Sequence, residues 1–196
     1  MSILKVRLII VCSNPPSPSF VGAATDEELR LTLTLAPGHP VQLGADVVYG
    51  ERTVTRDDVA ACVRAVRPAF EIADDRRADY ARLPTQGLQL VADNAWNEGA
   101  VLGERRTDWR PLDLGVLRGV ASIDGVETGS GLGSDLMGHP LDALAWLADS
   151  IRRRGLRIRA GETAVLGTPV ASRFPRPGER LEFALEGFAP IVLDVD

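Results

Sequence analysis

The chain has 196 residues, 45% hydrophobic and 25% charged, which is ordinary for a globular protein with a sizeable core. Its 22 basic and 27 acidic residues give a net charge of −5, which argues against nonspecific nucleic-acid binding because that binding needs clustered cations. No stretch is long enough to span a membrane, and two cysteines that no motif joins favour a reducing cytoplasm.

The first half of the chain predicts several strands and one helix. The helix begins after Thr55, an N-cap with Asp58 three residues on, and an apolar stripe continues to Val66 before Pro68 ends it. The segments predicted as strands are residues 4–11, 28–35, 41–49, 70–73, 87–92 and 100–103.

The second half predicts more strands and a second helix. Residues 141–154 form the helix, because proline precedes this apolar-periodic segment and Gly155 follows it. Residues 129–134 (GSGLGS) predict a flexible loop, which has neither the GxGxxG spacing nor the lysine of a nucleotide site. The predicted strands lie within residues 112–126, with a turn at Asp124-Gly125, and at residues 163–167, 180–185 and 191–195. Many strands with about two helices indicate a β-rich α+β domain.

Acidic residues from separate segments could meet in one site. On a strand, Asp26 and Glu28 project from the same face, with Cα atoms roughly 6.5–7 Å apart. Glu71 lies in an apolar run, and a buried carboxylate is costly unless a cation or hydrogen-bond donors accompany it. Three carboxylates favour Mg²⁺ or Mn²⁺, which take hard oxygen ligands. The alternatives are a solvated strand edge for the acid pair and an ion pair between Glu71 and Arg76.

Asp93, Asn94 and the two histidines are further candidates. Asp93 and Asn94 either position a substrate or a water, or form a turn in which their side chains bond the backbone. His39 and His139 have no spacing typical of zinc sites. His139 is expected to support the start of the second helix instead of catalysing.

Several ordered blocks of the sequence carry a family resemblance. They are residues 68–72 (PAFEI), Arg76, residues 93–95, 131–134 (GLGS), 138–141 (GHPL), 144–148 (LAWLA), 161–168 (GETAVLGT) and 177–179 (PGE). The chain resembles the fumarylacetoacetate hydrolase superfamily, in particular its 2-keto-4-pentenoate hydratase and 4-oxalocrotonate decarboxylase branch. The resemblance implies an α+β fold like the C-terminal domain of fumarylacetoacetase, a β-rich roll of mixed sheets with a few flanking helices. It implies one domain over residues 1–196, with a shortened N-terminal segment of about 25 residues.

The resemblance also implies a metal site. In this family, Mg²⁺ or Mn²⁺ is held by a Glu-x-Glu strand and a third glutamate. Glu28 and Glu71 match two of these ligands, and Asp26 stands where the first glutamate belongs. The ion chelates the carboxylate and keto oxygens of a small 2-oxo acid and stabilises an enolate.

The other site residues follow from the same resemblance. Asp93 and Lys5 are the expected catalytic groups, which transfer protons. Arg76, Asn94 and Thr168 are the expected substrate-binding groups.

Two functions remain open on these residues. The first is a cytoplasmic, homo-oligomeric lyase that depends on a divalent metal and acts on a small 2-oxo acid, either as a hydratase (a hydro-lyase, the favoured class) or as a decarboxylase. The second is a non-catalytic relative that has lost the metal and acts as a binding or partner subunit. In that alternative Arg30, which lies on the same strand face as Asp26 and Glu28, bridges the two acids. Trp96 stands where the family has small residues and could fill the pocket.

Overall fold

The structure, a computed structural model, describes residues 9–11, 33–38, 40–47, 52–75 and 78–195. Some residues singled out in the sequence lie outside these described residues: Lys5, Asp26, Glu28, Arg30, His39 and Arg76. None of the helices within the described ranges is both long and apolar enough to cross a bilayer.

The described strands pair antiparallel in three sheets. In chain order they are β1 (Ile9–Val11), β2 (Leu33–Gly38), β3 (Pro40–Leu43), β4 (Val63–Val66), β5 (Ala69–Asp74), β6 (Asn97–Leu102), β7 (Arg118–Ile123), β8 (Val126–Leu132), β9 (Thr163–Val165), β10 (Arg180–Leu185) and β11 (Ile191–Asp194). Their orders are β1-β9-β3-β4, β11-β10-β7-β8 and β2-β5-β6. The α-helices are α1 (Arg56–Cys62), α2 (Gly87–Ala92) and α3 (Pro140–Arg152), so the expected β-rich α+β class is confirmed.

One apolar core joins the sheets to the two helices α1 and α3. Phe70 on β5 meets Phe183 on β10 with ring centroids 6.3 Å apart, so the sheet of β5 packs on the sheet of β10. Both rings are buried, and burial of a large aromatic side chain contributes roughly 1.5–3 kcal/mol. This contact fixes the strand on which Glu71 lies.

Local signals predicted several elements correctly. Thr55 and Asp58 form the expected capping box at the start of α1. Asp124 and Gly125 both have positive φ, as a two-residue hairpin turn between β7 and β8 requires. The strand at residues 70–73 is confirmed as the centre of β5.

The predicted first helix is wrong beyond Cys62. Val63 and Val66 continue its apolar stripe, but they belong to β4 and pair with Leu43 and Val41 of β3. β-Branched side chains are stiff at χ1 and pack well on a pleated sheet. Pairing with β3 therefore places these valines in a strand and not in the helix.

The strand predicted at residues 87–92 is also wrong. This segment is helix α2, and Leu88 and Val91 are 90% and 76% exposed. The backbone bonds are local, from Leu90 N–H to the Gln86 carbonyl and from Asp93 N–H to the Gln89 carbonyl. An apolar run of this length does not distinguish a helix from a strand without its surroundings.

The loop predicted at residues 129–134 is wrong, because β8 runs through Leu132. The glycines of residues 129–134 let neighbouring segments pack closely, and they do not make the segment a flexible loop. A Cβ on Gly131 would lie 2.1 Å from the Pro169 carbonyl oxygen, and one on Gly133 would lie 1.8 Å from that of Leu114.

His139 begins α3, as predicted. Its Nδ1 accepts a hydrogen bond of 3.1 Å from the Leu141 N–H. Burial and the Arg56 guanidinium lower the pKa of His139, against the opposite effects of Asp142 and Asp113. Arg56 in turn donates to Asp142, its Nε lying 2.8 Å from Oδ1, and this lowers the pKa of that carboxyl while it ties α1 to α3.

The free energy of unfolding should therefore fall as the pH falls below 6.5. A histidine with a lowered pKa in the folded state is protonated more readily when unfolded, so its stability contribution is present above the unfolded pKa of about 6.5 and is lost below it. Protonation of Nδ1 also removes the cap, worth about 1 kcal/mol. Asparagine keeps a hydrogen-bond acceptor that does not titrate. We therefore expect the free energy of unfolding, measured with urea, to change less between pH 7.5 and pH 5 in His139→Asn than in the wild-type protein. The same dependence on pH in both proteins would contradict this role.

Candidate functional site

Glu71 lies at the centre of β5, the middle strand of the β2-β5-β6 sheet. The side chain is 4% exposed, and its cross-strand neighbour on β6 is Ala100. Successive side chains of a strand point to opposite faces of the sheet, so Phe70 points away from the Glu71 side and packs into the core. The strand therefore holds one carboxylate out of bulk water, beside a neighbour that occupies little space.

Asp93 and Asn94 lie just before β6, which pairs with β5. Asp93 is half-buried and ends α2, and its carbonyl accepts a 2.8 Å bond from the Trp96 N–H. The pairing of β6 to β5 brings this segment towards the end of β5 that follows Glu71. Asp93 and Asn94 thus lie in the turn that leads into β6, the strand that pairs with the strand of Glu71.

Three consecutive residues without a glycine among them have left-handed backbones here. Asn94, Ala95 and Trp96 have φ of 50°, 52° and 66°. Asparagine tolerates this region, whereas alanine and tryptophan are strained in it. Such strain persists only where the surrounding structure enforces it, as it does at many functional sites.

Ala95→Gly should raise the free energy of unfolding by about 1 kcal/mol, because glycine adopts positive φ without a Cβ penalty. Thermal unfolding of the two proteins measures the difference. The matched control is Ala100→Gly on the extended strand β6, which should destabilise by roughly 0.5–1 kcal/mol. If Ala95→Gly destabilised as much as the control, Ala95 would not be strained.

Thr168 lies in the connection between β9 and β10. Its hydroxyl donates to the Val170 carbonyl at 2.6 Å and accepts from the Val170 N–H at 3.2 Å. A hydroxyl has one proton and two lone pairs, so one acceptor position remains. Thr168 is adjacent to Pro169, which packs on Gly131 of β8 in a sheet other than that of Glu71.

A cluster that the sequence did not predict lies beside the Asp93 segment. Tyr80 donates its hydroxyl proton to Asp75 Oδ2 at 2.9 Å, and Asp75 is buried directly after β5. The Tyr80 ring meets Trp96 edge-on at 5.8 Å and Phe174 edge-on at 6.3 Å. We call Tyr80, Trp96 and Phe174 the aromatic wall. The sequence signals were Trp96, which stands where the family has small residues, and the acid pair Asp74-Asp75 at the end of the apolar run.

Glu71 is the one expected metal ligand that lies within the described residues. The Glu71 carboxylate has oxygen atoms of the kind that hard divalent cations prefer, and a metal cation is one group that would compensate a buried carboxylate. Among the described residues, no group of three or more histidine, cysteine, aspartate or glutamate side chains could hold an ion. The other two expected ligands, Asp26 and Glu28, lie outside those residues. Glu71 thus fits a divalent cation as one ligand of a set.

Comparison with curated proteins finds enzymes of similar sequence, although no protein-family model matches the chain. It is 39% identical over 134 residues to a 2-hydroxyhexa-2,4-dienoate hydratase of Comamonas testosteroni, an alignment covering 68% of this chain and 50% of that protein. It is 33% identical over 137 residues to a 2-keto-4-pentenoate hydratase of Paraburkholderia xenovorans, covering 70% and 50%. The chain spans about half the length of the curated relatives it matches.

Solved structures share the fold. One is 4-oxalocrotonate decarboxylase from Pseudomonas putida G7 complexed with magnesium and adipate, with a TM-score of 0.74 and 24% identity over 84% of this chain and 60% of that one. Another is a proposed fumarylacetoacetate hydrolase family protein from Yersinia pestis CO92, with a TM-score of 0.63 and 15% identity over 84% and 74%. The roll of sheets expected from the sequence is thereby confirmed.

Proposed function

Because this chain belongs to the fumarylacetoacetate hydrolase superfamily, on its hydratase and decarboxylase branch, we propose that it is a divalent-metal-dependent hydro-lyase or decarboxylase of a small 2-oxo acid. The observation that carries the proposal is Glu71, a carboxylate kept 4% exposed on the central strand of its sheet. In sequence, Glu71 matches the third glutamate that holds the metal in this family, as the resemblance implies. The relatives, which are named as enzymes, give no support to a non-catalytic partner subunit.

Asp26, Glu28 and Glu71 would hold the ion, Mg²⁺ or Mn²⁺. When bound, the ion would act as a Lewis acid on the carboxylate and keto oxygens of the substrate. Burial strengthens that electrostatic effect, because Glu71 lies where water screens charges weakly. The apolar core behind Phe70 keeps the strand, and with it the Glu71 carboxylate, in a fixed position.

Proton transfer falls to Asp93 and Lys5 in this proposal. Asp93 is half-buried and has a backbone fixed by hydrogen bonds from its own N–H to Gln89 and from Trp96 to its carbonyl. A base held in this way keeps its geometry through the reaction, and general acid–base catalysis of this kind contributes roughly 10²–10⁴-fold.

Arg76, Asn94 and Thr168 would contact the substrate. Asn94 is exposed at the strained turn, so its amide can reach a ligand. The Thr168 hydroxyl has already donated its proton to Val170, so it would act as an acceptor, for example from an enol hydroxyl. Arg76 would pair with a carboxylate. We also propose that the protein forms a homo-oligomer and is located in the cytoplasm.

A metal-dependence assay tests this function. Metal-stripped protein is incubated with 2-hydroxypenta-2,4-dienoate, and addition of water across the carbon–carbon double bond is followed by loss of the diene absorbance. A parallel assay with 4-oxalocrotonate measures release of CO₂. We expect one of these reactions to require Mg²⁺ or Mn²⁺ and to stop on chelation. No metal-dependent turnover in either assay would contradict the proposal.

A further inference from the structure

Two arginines lie opposite each other where β4 leads into β5. Val66, the last residue of β4, forms an antiparallel bridge with Arg106, in which each N–H donates to the other residue's carbonyl at 3.0 Å and 2.8 Å. The next residues along this antiparallel bridge are Arg67 on one segment and Arg105 on the other. Residues directly opposite on antiparallel segments share a face, with Cβ atoms roughly 4.5–5.5 Å apart. The backbone therefore brings two cationic side chains together.

The backbone around this arginine pair is closely packed. Pro68 restricts Arg67 to an extended conformation, and the Pro68 carbonyl accepts a 2.9 Å hydrogen bond from the Gly103 N–H. A Cβ on Gly103 would lie 2.9 Å from Pro68 Cγ and 2.9 Å from Ile191 Cγ1. The two segments are thus held by a hydrogen bond and by contact with β11, so they do not separate to relieve repulsion between the arginines.

No carboxylate in the described part of the chain forms an ion pair with Arg67 or Arg105. The arginines that form ion pairs there are Arg52, Arg56, Arg106, Arg118, Arg152, Arg153, Arg157 and Arg180. Glu104 is adjacent to Arg105 in sequence, but it is not a partner in any of these pairs. Burial and the Arg105 guanidinium lower the pKa of Arg67, and no carboxylate opposes these effects.

The two arginines differ in their contact with solvent. Arg67 is half-buried, and its Nε–H is buried without a hydrogen-bond acceptor among the described residues. A buried donor without an acceptor is unfavourable, and more so when the donor group is charged. Arg105 is exposed, so a ligand can reach the pair from solution. Guanidinium groups donate paired hydrogen bonds that match the oxygens of phosphate.

We infer that Arg67 and Arg105 form a binding site for a phosphate dianion. Two guanidinium groups carry two positive charges, which a doubly charged anion balances, and its oxygens supply the acceptor that the Arg67 Nε–H lacks. This inference does not depend on the proposed function, because neither arginine belongs to the expected metal or substrate site.

Thermal unfolding of the full-length chain, with and without inorganic phosphate, tests the site. The protein is stripped of divalent metal so that phosphate cannot bind through an ion, and sodium chloride keeps the ionic strength constant. Given a dissociation constant on the order of 1 mM, about 20 mM phosphate should raise the wild-type melting temperature by about 4–7 °C. Acetate at the same ionic strength should raise it by less than about 2 °C, because acetate carries a single charge.

Arg105→Ala should have opposite effects in the two buffers. Without phosphate, the variant should melt about 1–2 °C above the wild-type protein, because like charges directly opposite each other are destabilising. In phosphate it should gain about 1 °C or less, so the wild-type protein becomes the more stable of the two. The matched control is Arg154→Ala, which removes an exposed arginine after α3 and should keep the wild-type response to phosphate.

A conservative variant separates charge from geometry. Arg67→Lys keeps the positive charge but loses the planar fork, so calorimetric titration should show phosphate binding weakened by about three- to tenfold. Equal affinities would overturn the assignment of Arg67 as a ligand.

Two other results would overturn the whole inference. One is an equal rise in melting temperature on phosphate addition in Arg105→Ala and in the wild-type protein. The other is no phosphate effect on the wild-type protein together with a lower mass of Arg105→Ala in light scattering, which would instead assign the arginine pair to an interface with acidic groups of a second copy of the chain.

Discussion

Glu71→Gln should abolish tight binding of Mn²⁺ or Mg²⁺ and, with it, metal-dependent turnover. The substitution keeps the size of a side chain that is 4% exposed but removes its charge, so packing on β5 is preserved while an anionic ligand is lost. Removal of a residue that hydrogen-bonds to a metal ligand lowers the affinity for the metal by about 10–100-fold. Loss of a ligand itself should therefore weaken metal binding by more than about 100-fold. Calorimetric titration of metal-stripped protein with Mn²⁺, alone and with oxalate, measures the effect.

The matched control is Glu182→Gln. Glu182 also lies on a strand, β10, but is half-exposed in a different sheet, so its substitution should leave the affinity for Mn²⁺ unchanged. Circular dichroism should show that both variants fold. If Glu71→Gln bound Mn²⁺ as tightly as the wild-type protein, Glu71 would not be a ligand, and the metal site would have to lie elsewhere.

Gly133→Ala should destabilise the fold strongly. A methyl group there would lie 1.8 Å from the Leu114 carbonyl oxygen, and backbone atoms cannot move aside as a flexible side chain can. Overpacking of this kind costs about 3 kcal/mol or more. For a chain of this size, that lowers the melting temperature by about 6–12 °C, which differential scanning calorimetry would measure.

Gly87→Ala provides the comparison for this prediction. Apart from its chain neighbours and the backbone of its own helix, no atom lies within 4 Å of a Cβ at Gly87, which is the first residue of α2. Alanine is a better helix former than glycine, so stability should be unchanged or rise by up to about 1 kcal/mol. Equal melting temperatures for Gly133→Ala and the wild-type protein would mean that β8 and the Leu114 segment are not closely packed.

The sequence predicted those elements that local chemistry specifies. Thr55 with Asp58 and the proline before Leu141 mark helix starts through short-range hydrogen bonds and backbone restriction, and both helices are present. Val63 and Val66 were assigned to a helix because their spacing suits one. Their pairing with β3 depends on residues about 20 positions away, which no local pattern reports.

The same distinction applies to the candidate site. Glu71 was identified because a single acid inside an apolar run is costly to bury, and the structure confirms that it is buried. The aromatic wall was not identified, because Phe174 meets Tyr80 across a long stretch of chain and neither ring belongs to a motif. The packing role of Gly131 was missed for the same reason, since Pro169 is distant in sequence.

The position of β9 between β1 and β3 has a consequence for how the chain folds. Val11 pairs with Thr163, about 150 positions later, and the same short strand supplies the partner of β3. At ribosomal rates of about 5–20 residues per second, β3 waits on the order of ten seconds for that partner. During this time its unpaired edge can pair with other chains. Because these strand pairs join residues far apart in sequence, we also expect refolding of the full chain to be slow and its yield to fall as protein concentration rises.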